Sequence, residues 1–186
     1  VHAETNDDSY SRAVTTYLAF ALDRLADYMS TLCTWGYGFI AHTFGRQALP
    51  MVWDYAEVNP FSGSTGDWDG ALDWITRVIE HCERADGRPC TVQQKTATQV
   101  EYPSSHFDAV ITDPPYYNAV PYADLSDFFY VWLKRTVGDL YPDTFRSPLV
   151  PKSAEIVEMR SWDSKRYAQK DEAFYEREMT RAFREI

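Results

Sequence analysis

The stretch DAVITDPPYYN (108–118) places two prolines and two tyrosines directly after a short apolar run. A continuously apolar run of this length is typical of a buried parallel strand, and a central strand cannot continue through two prolines. We therefore predict a strand over FDAVIT (107–112) that ends in a rigid turn at Asp113. In open α/β sheets ligands bind beyond the carboxyl ends of the strands, so we expect a reacting group at this turn.

The residues from Asp113 to Tyr116 suit a planar ring that carries an exocyclic amino group. The Asp113 carboxylate and the Pro114 carbonyl can each accept one amino hydrogen, and the prolines restrict the direction of that carbonyl. The ring of Tyr116 offers a face for stacking, which is worth about 1–3 kcal/mol for a base. A base inside a duplex has to be flipped out to reach such a site. Candidates for secondary contacts to the base are Pro115, Tyr117, Asn118 and Tyr122. The alternative is that these residues only pack the loop.

The rest of the chain shows apolar residues mostly at helical spacing, with one further strand predicted over CTVQQ (90–94). This order of elements predicts an α/β fold with a parallel sheet. The predicted helices are 10–32, capped by Asp8 or Ser9 and ended by WGYG (35–38); a short one from Pro50; one after Asp67, broken by RADGRP (84–89); 122–138; and one from about Asp171.

Composition bears on the compartment of the protein but does not identify a partner. The formal net charge of −10 argues against a nucleic-acid ligand, but eleven of the eighteen Lys and Arg residues lie from Lys134 onward. No apolar run approaches the roughly 20 residues of a membrane span, and the polar start VHAETNDDSY (1–10) does not resemble a signal peptide. Three widely separated cysteines favour neither a disulfide framework nor a zinc site, and no metal site is expected. We predict a reducing, cytoplasmic location.

The DPPY sequence after an apolar run resembles the motif of the S-adenosylmethionine-dependent amino-methyltransferases, which methylate adenine N6 or cytosine N4. The segment TVQQKTATQVEYPSSHFDAVITDPPY (91–116) is similar to the run between the third and fourth strands of that family. The wider sequence, over 45–66 and 113–135, resembles a subgroup of large bacterial adenine-specific DNA methylases that carry a domain of unknown function, DUF1156. This resemblance covers nearly the whole chain.

The resemblance implies a Rossmann-like class I methyltransferase fold with additional long helices, and S-adenosyl-L-methionine as the methyl donor. It implies that Thr96, Ala97 and Asp113 contact this cofactor. Asp113, Pro114 and Tyr116 would be the catalytic residues, with Asp113 ionised, and the substrate would be N6 of a flipped adenine in DNA. Cytosine N4, rRNA and protein glutamine stay open as methyl acceptors, and so does a non-catalytic binding module of the same fold.

The ends of the chain and one glycine-rich loop bear on how complete this unit is. NPFSGSTG (59–66) is similar to the family's glycine-rich cofactor loop, with Asn59 in place of the acid; a helix-capping loop is the alternative, and we expect the family's own loop upstream of the chain. The start at Val1 and the end at RAFREI (181–186) predict a piece truncated at both ends, with the missing remainder of its own chain as a partner. We expect a helical segment over 1–88 and the catalytic part over 89–186. Whether the piece alone transfers methyl groups stays open.

Overall fold

The computed structural model describes residues 7–85, 87 and 90–186. This part of the chain is mainly helical, and its only sheet is one antiparallel pair of two-residue strands in which Thr34 lies opposite Ala41. No described helix combines the length and the apolar run that a bilayer crossing demands. The elements in chain order are α1 (Asp8–Met29), β1 (Thr34–Trp35), β2 (Ile40–Ala41), α2 (Trp68–Glu83), α3 (Tyr122–Val137) and α4 (Glu172–Glu185).

The predicted α/β fold is wrong. A Rossmann-like class I methyltransferase fold needs a parallel sheet of several strands, whereas the described residues form only the β1–β2 pair. Both predicted strands, 90–94 and 107–112, lie in irregular backbone with exposed side chains, and Ile111 is 96% exposed. A buried parallel strand exists only where neighbouring strands accept its backbone hydrogen bonds and other elements cover both faces. The described chain brings no such neighbours to the run 107–112.

The helix predictions fared better, because the signals that begin a helix are local. The helices predicted after Asp67 and from about Asp171 are confirmed, since these side chains accept hydrogen bonds of 2.9 Å from the backbone N–H of Gly70 and Phe174. The helix predicted over 122–138 forms as α3. The first helix begins at Asp8, two residues before the predicted start at residue 10, because Asp7 supplies its cap.

Two helix details were wrong, and one prediction lies partly outside the described residues. The first helix ends at Met29, where Ser30 turns to extended backbone, and WGYG (35–38) lies in the hairpin instead. Residues 50–55 are irregular, so no helix starts at Pro50. The predicted break RADGRP (84–89) includes residues 86, 88 and 89, which are outside the described part.

The chain forms two compact units, the first of which comprises Val1–Gly87 and Asp124–Val150. In this unit α1 packs against α2. The Asp27 carboxylate, near the end of α1, is hydrogen-bonded to Nδ1 of His42 at 3.0 Å and accepts from the backbone N–H of Phe44 at 3.2 Å. The ring of Phe44 in turn packs 5.2 Å from the ring of Phe128. These contacts fix the segment after the hairpin to two helices of the unit.

The second unit comprises Arg88–Ala123 and Pro151–Ile186. Its core includes the buried segment 157–159, together with Met179 and Ala182 on the inner face of α4. The backbone amide of Glu158 donates to the carbonyl of Tyr117 at 3.0 Å. The buried segment therefore supports the chain directly after the DPPY sequence. The division of the chain at residue 88 into a helical and a catalytic part stays a prediction.

Candidate functional site

Residues Asp113–Tyr116, named here the DPPY segment, are irregular backbone in the second unit and lead into a turn at 117–118; Asp113 and Tyr116 are exposed, whereas both prolines are half-buried. The backbone N–H of Tyr117 donates to the carbonyl of Pro115 at 3.1 Å, and the N–H of Ala119 donates to the carbonyl of Tyr116 at 2.8 Å. Tyr117 has a φ of 39°, in the left-handed region that residues other than glycine seldom occupy. A turn of this kind persists when surrounding contacts stabilise it.

Those contacts come from α4 and from the buried segment 157–159. The phenolic hydroxyl of Tyr175 donates to the carbonyl of Pro115 at 2.9 Å, and the rings of Tyr175 and Tyr117 meet edge-on at 5.1 Å. From the buried segment 157–159, the backbone amide of Glu158 donates a hydrogen bond to the carbonyl of Tyr117. Sequence reasoning missed both Tyr175 and Glu158, because neither belongs to a motif and both lie far along the chain from Pro115.

The structure brings Asp113 and Tyr116 together. The Tyr116 hydroxyl donates to Oδ1 of Asp113 at 3.2 Å, while the Tyr116 side chain stays 57% exposed. This hydrogen bond, reinforced by the negative charge of Asp113, raises the pKa of Tyr116 above its ordinary value. An ionised carboxylate has about four lone-pair sites, so Asp113 can accept further hydrogens beyond the one from Tyr116. An exposed acceptor and an exposed aromatic face therefore lie side by side.

The predicted secondary contacts have more varied surroundings. The ring of Tyr117 packs on Tyr175, and loss of hydration raises the pKa of Tyr117, with the charge of Glu172 raising it further. Tyr122, at the start of α3, is exposed and lies near enough to Tyr116 to raise its pKa slightly. Asn118 is half-buried. Contacts of these side chains to a base stay predictions.

The predicted cofactor residues Thr96 and Ala97 lie in an exposed turn of the second unit. The hydroxyl of Thr96 is 2.9 Å from that of Thr98 and accepts from the backbone N–H of Thr98 at 3.3 Å. Among the described contacts, none joins this turn to Asp113. A nucleoside cofactor needs a concave site that covers most of its surface. The exposed residues of this turn do not fit that requirement.

The glycine-rich stretch NPFSGSTG (59–66) serves as a loop that leads into α2. The carbonyl of Pro60 accepts from the backbone N–H of Trp68 at 2.8 Å, and Asp67 caps the helix. Gly66 has a φ of +91°, and a Cβ there would lie 3.0 Å from Cβ of Tyr28 on α1. The loop lines a cavity of about 700 Å³ in the first unit, and Arg24 and Trp74 are among the other residues that line this cavity. Its glycine at 66 is thus explained by packing on α1, as expected of a helix-capping loop.

Comparison with protein-family models, with curated proteins and with solved structures finds no match to this chain.

Proposed function

We propose that this chain takes part in methylation of N6 of adenine in DNA, and that its DPPY segment binds the amino group of a flipped base. The observation that carries the proposal is the exposed pair of Asp113 and Tyr116, whose side chains are hydrogen-bonded at 3.2 Å. The Tyr175 hydroxyl stabilises this segment by donating to the carbonyl of Pro115. A planar ring with an exocyclic NH₂ group needs a hydrogen-bond acceptor at its edge and an aromatic face beside it. This pair offers both.

Each residue of the segment has a distinct role in the proposal. Asp113 accepts one amino hydrogen and the Pro114 carbonyl accepts the other, since both groups present acceptor oxygens. Drawing both hydrogens toward acceptors concentrates the lone pair on the nitrogen, which is the atom that receives the methyl group. Tyr116 stacks on the base, which contributes about 1–3 kcal/mol to binding. Asp113 acts ionised, because a protonated carboxyl gives up part of its acceptor capacity.

The methyl donor enters the proposal through the family resemblance. S-adenosyl-L-methionine would supply the methyl group when bound. Because Thr96 and Ala97 form no cradle for a nucleoside, we assign no residue of this chain to the donor. The role proposed for the chain is to bind and orient the amino group that receives the methyl group.

The three cysteines suit a reducing compartment. Cys33 is buried, Cys82 and Cys90 are exposed, and all three are free thiols. Exposed thiols persist where the cell keeps cysteines reduced. We therefore propose a cytoplasmic location.

A nucleic-acid-binding module without catalysis is the second candidate. The observation that favours it is the absence, within residues 7–85, 87 and 90–186, of the parallel sheet on which amino-methyltransferases build their cofactor site. Such a module would bind an extruded base at the DPPY segment and leave it unchanged.

The test is transfer of an isotopically labelled methyl group from S-adenosylmethionine to unmethylated DNA, followed by digestion and mass analysis of the nucleosides. In the full reading frame that encodes this chain, the wild type is expected to yield N6-methyladenine. Asp113→Asn keeps the shape but loses the charge, and is expected to lower the rate by about 10²-fold or more, as when one preorganised hydrogen-bonding partner is removed. The matched control is Asp108→Asn, which changes another exposed acid five residues upstream and should leave the rate within about twofold of wild type.

The other outcomes separate the alternatives. N4-methylcytosine, or label in rRNA or in protein glutamine, would replace the adenine substrate by that acceptor. Binding of DNA that carries 2-aminopurine, with a rise in its fluorescence but no methylated product, would establish the binding module instead. In that binding assay Tyr116→Phe should keep most of the affinity, while Tyr116→Ala should weaken binding by about 5- to 150-fold because the stacking ring is gone.

A further inference from the structure

Two adjacent cavities of the first unit, of about 240 Å³ and 570 Å³, share the segment 57–59 as part of their lining. Trp35 and Phe39 of the β1–β2 hairpin line the smaller cavity, and Tyr55 lines the larger one. We name the two cavities together the hairpin groove. Three aromatic side chains therefore lie around one short stretch of chain that includes Glu57.

Glu57 supplies the only charge of the groove among its described lining residues, since none of the others is acidic or basic. Its carboxylate has no ion-pair or hydrogen-bond partner among the described residues. The cation of the neighbouring 700 Å³ cavity, Arg24, lies instead over the rings of Tyr28 and Trp74, at 5.7 and 5.1 Å from their centres. The groove thus combines a carboxylate that no described cation neutralises with exposed aromatic rings.

The sequence around the groove and the first unit as a whole are acidic. Between Arg46 and Arg77 the chain carries five Asp or Glu residues and no Lys or Arg. The residue ranges of the first unit contain 17 Asp and Glu against 8 Lys and Arg, whereas those of the second unit contain 11 against 10. Most of the formal charge of −10 therefore belongs to the first unit, whose field attracts cations and repels nucleic-acid phosphates.

The hairpin holds its two rings on a fixed backbone. The backbone N–H of Gly36 donates to the carbonyl of Phe39 at 2.7 Å, and a Cβ at Gly36 would lie 3.1 Å from the Phe39 ring. Ile40, opposite Trp35 in the ladder, is only 4% exposed and anchors the strand. Trp35 and Phe39 nevertheless stay 70% and 51% exposed, and neither ring stacks on another described ring or holds a described cation. Rings positioned in this way lose little freedom when a ligand stacks on them.

We propose that the hairpin groove binds an arginine side chain of a partner protein. A guanidinium stacks on aromatic faces and pairs with a carboxylate through two parallel hydrogen bonds, so it matches Trp35, Phe39 and Glu57 together. The smaller cavity lies below the roughly 300 Å³ from which small-molecule clefts begin, so it suits one side chain. The larger cavity, with Tyr55, would take the adjoining residues of the peptide. The proposal uses residues of the first unit alone and does not depend on methylation.

The test is a titration of the isotope-labelled whole chain with the peptide acetyl-Ala-Arg-Ala-amide, followed by NMR of the tryptophan indole N–H groups. Trp35→Phe and Trp53→Phe identify the two signals by their absence. The signal of Trp35 is expected to shift to saturation, whereas that of Trp53, which is 91% exposed and outside the groove, should not move. Citrulline in place of arginine keeps the shape without the charge, and should bind at least about tenfold more weakly.

Two pairs of variants test the charge and the ring separately. Glu57→Gln is expected to weaken binding of the arginine peptide by about tenfold or more, because charge-assisted hydrogen bonds are lost. Glu80→Gln removes the same charge from an exposed glutamate of α2 outside the groove, and should leave the affinity within about twofold. Trp35→Ala should weaken binding by about 2- to 5-fold, read from the backbone amide of Gly38 in the groove, while Trp53→Ala should not.

The remaining outcomes would overturn the proposal in whole or in part. An unmoved Trp35 signal, equal shifts of Trp35 and Trp53, or equal weakening by Glu57→Gln and Glu80→Gln would overturn the site. A lysine peptide that binds more tightly with the same variant dependence would overturn the assignment to arginine. A Trp35 shift on concentrating the chain without peptide, lost in Glu57→Gln, would assign the groove to a second copy of the chain instead. Single-stranded DNA that shifts the Trp35 signal more strongly than the peptide does would overturn the assignment to a protein.

Discussion

The hydroxyl of Tyr175 donates a hydrogen bond of 2.9 Å to the backbone carbonyl of Pro115, across 60 positions of sequence. The ring of Tyr175 also packs edge-on against Tyr117, whose φ is positive. One side chain of α4 thus fixes both the turn of the DPPY segment and the residue that follows it. The direction in which Asp113 and Tyr116 face depends on this helix.

The variant Tyr175→Phe is expected to loosen the DPPY segment without removing the ring contact to Tyr117. Loss of the hydrogen bond should lower the free energy of unfolding by about 0.5–1.5 kcal/mol, measured by urea denaturation. Titration with DNA carrying 2-aminopurine should show affinity for the base falling by a similar free energy. Tyr37→Phe removes the hydroxyl of a fully exposed tyrosine and should change neither quantity. The same effect in both variants would show that Tyr175 does not position the segment.

The buried hydroxyl of Thr43 is expected to stabilise the first unit. Thr43 is 1% exposed, donates to the carbonyl of Asp27 at 2.6 Å and lies 2.6 Å from the hydroxyl of Ser30. Thr43→Val keeps the shape and leaves these groups without that partner, so the free energy of unfolding should fall by about 1–3 kcal/mol.

The matched control for that change is Thr76→Val on α2. The hydroxyl of Thr76 is exposed and bonds only to the carbonyl of Leu72 in its own helix among the contacts described. Its removal should change the free energy of unfolding by no more than about 0.5 kcal/mol. Denaturation curves that coincide for the two variants would contradict a structural role for Thr43.

Asp23 on α1 is expected to make stability depend on pH. Its side chain is 8% exposed, its Oδ1 has no described hydrogen-bond partner, and burial raises the pKa of Asp23 to about 7. Between about pH 4 and pH 7 the folded protein keeps a proton that the unfolded chain has released. The free energy of unfolding should therefore fall as the pH rises through this range, by up to about 1.4 kcal/mol per pH unit, and level off above it.

The measurement compares wild type with Asp23→Asn by urea denaturation at several pH values. The variant gains relative stability as the pH rises from about 4 to about 7, because the amide does not titrate. Asp54→Asn, at an exposed position, should follow the wild-type curve. A wild-type minus Asp23→Asn difference that stays constant across this range would rule out the proposed titration.

The sequence predicted features that depend on near neighbours and failed on those that depend on distant ones. Asp67 and Asp171 predict helices correctly because a cap needs only an amide three residues away. The apolar run 107–112 forms a strand only if distant segments pair with it, and a single sequence does not show such pairing. The same limit holds at the site, where Asp113 and Tyr116 belong to one short motif. Their support from Tyr175 required the folded chain.

Three of the four described helices begin on an aspartate whose side chain accepts from the backbone N–H three residues later. Asn, Ser, Thr and Gly could replace these acids at little cost, whereas larger side chains lack a short acceptor at that position. An acid without a structural hydrogen bond can change readily in sequence, but the capping hydrogen bond restricts these three positions. Distant proteins that share these helices should therefore keep a capping residue at the positions of Asp7, Asp67 and Asp171, even where their apolar residues have changed.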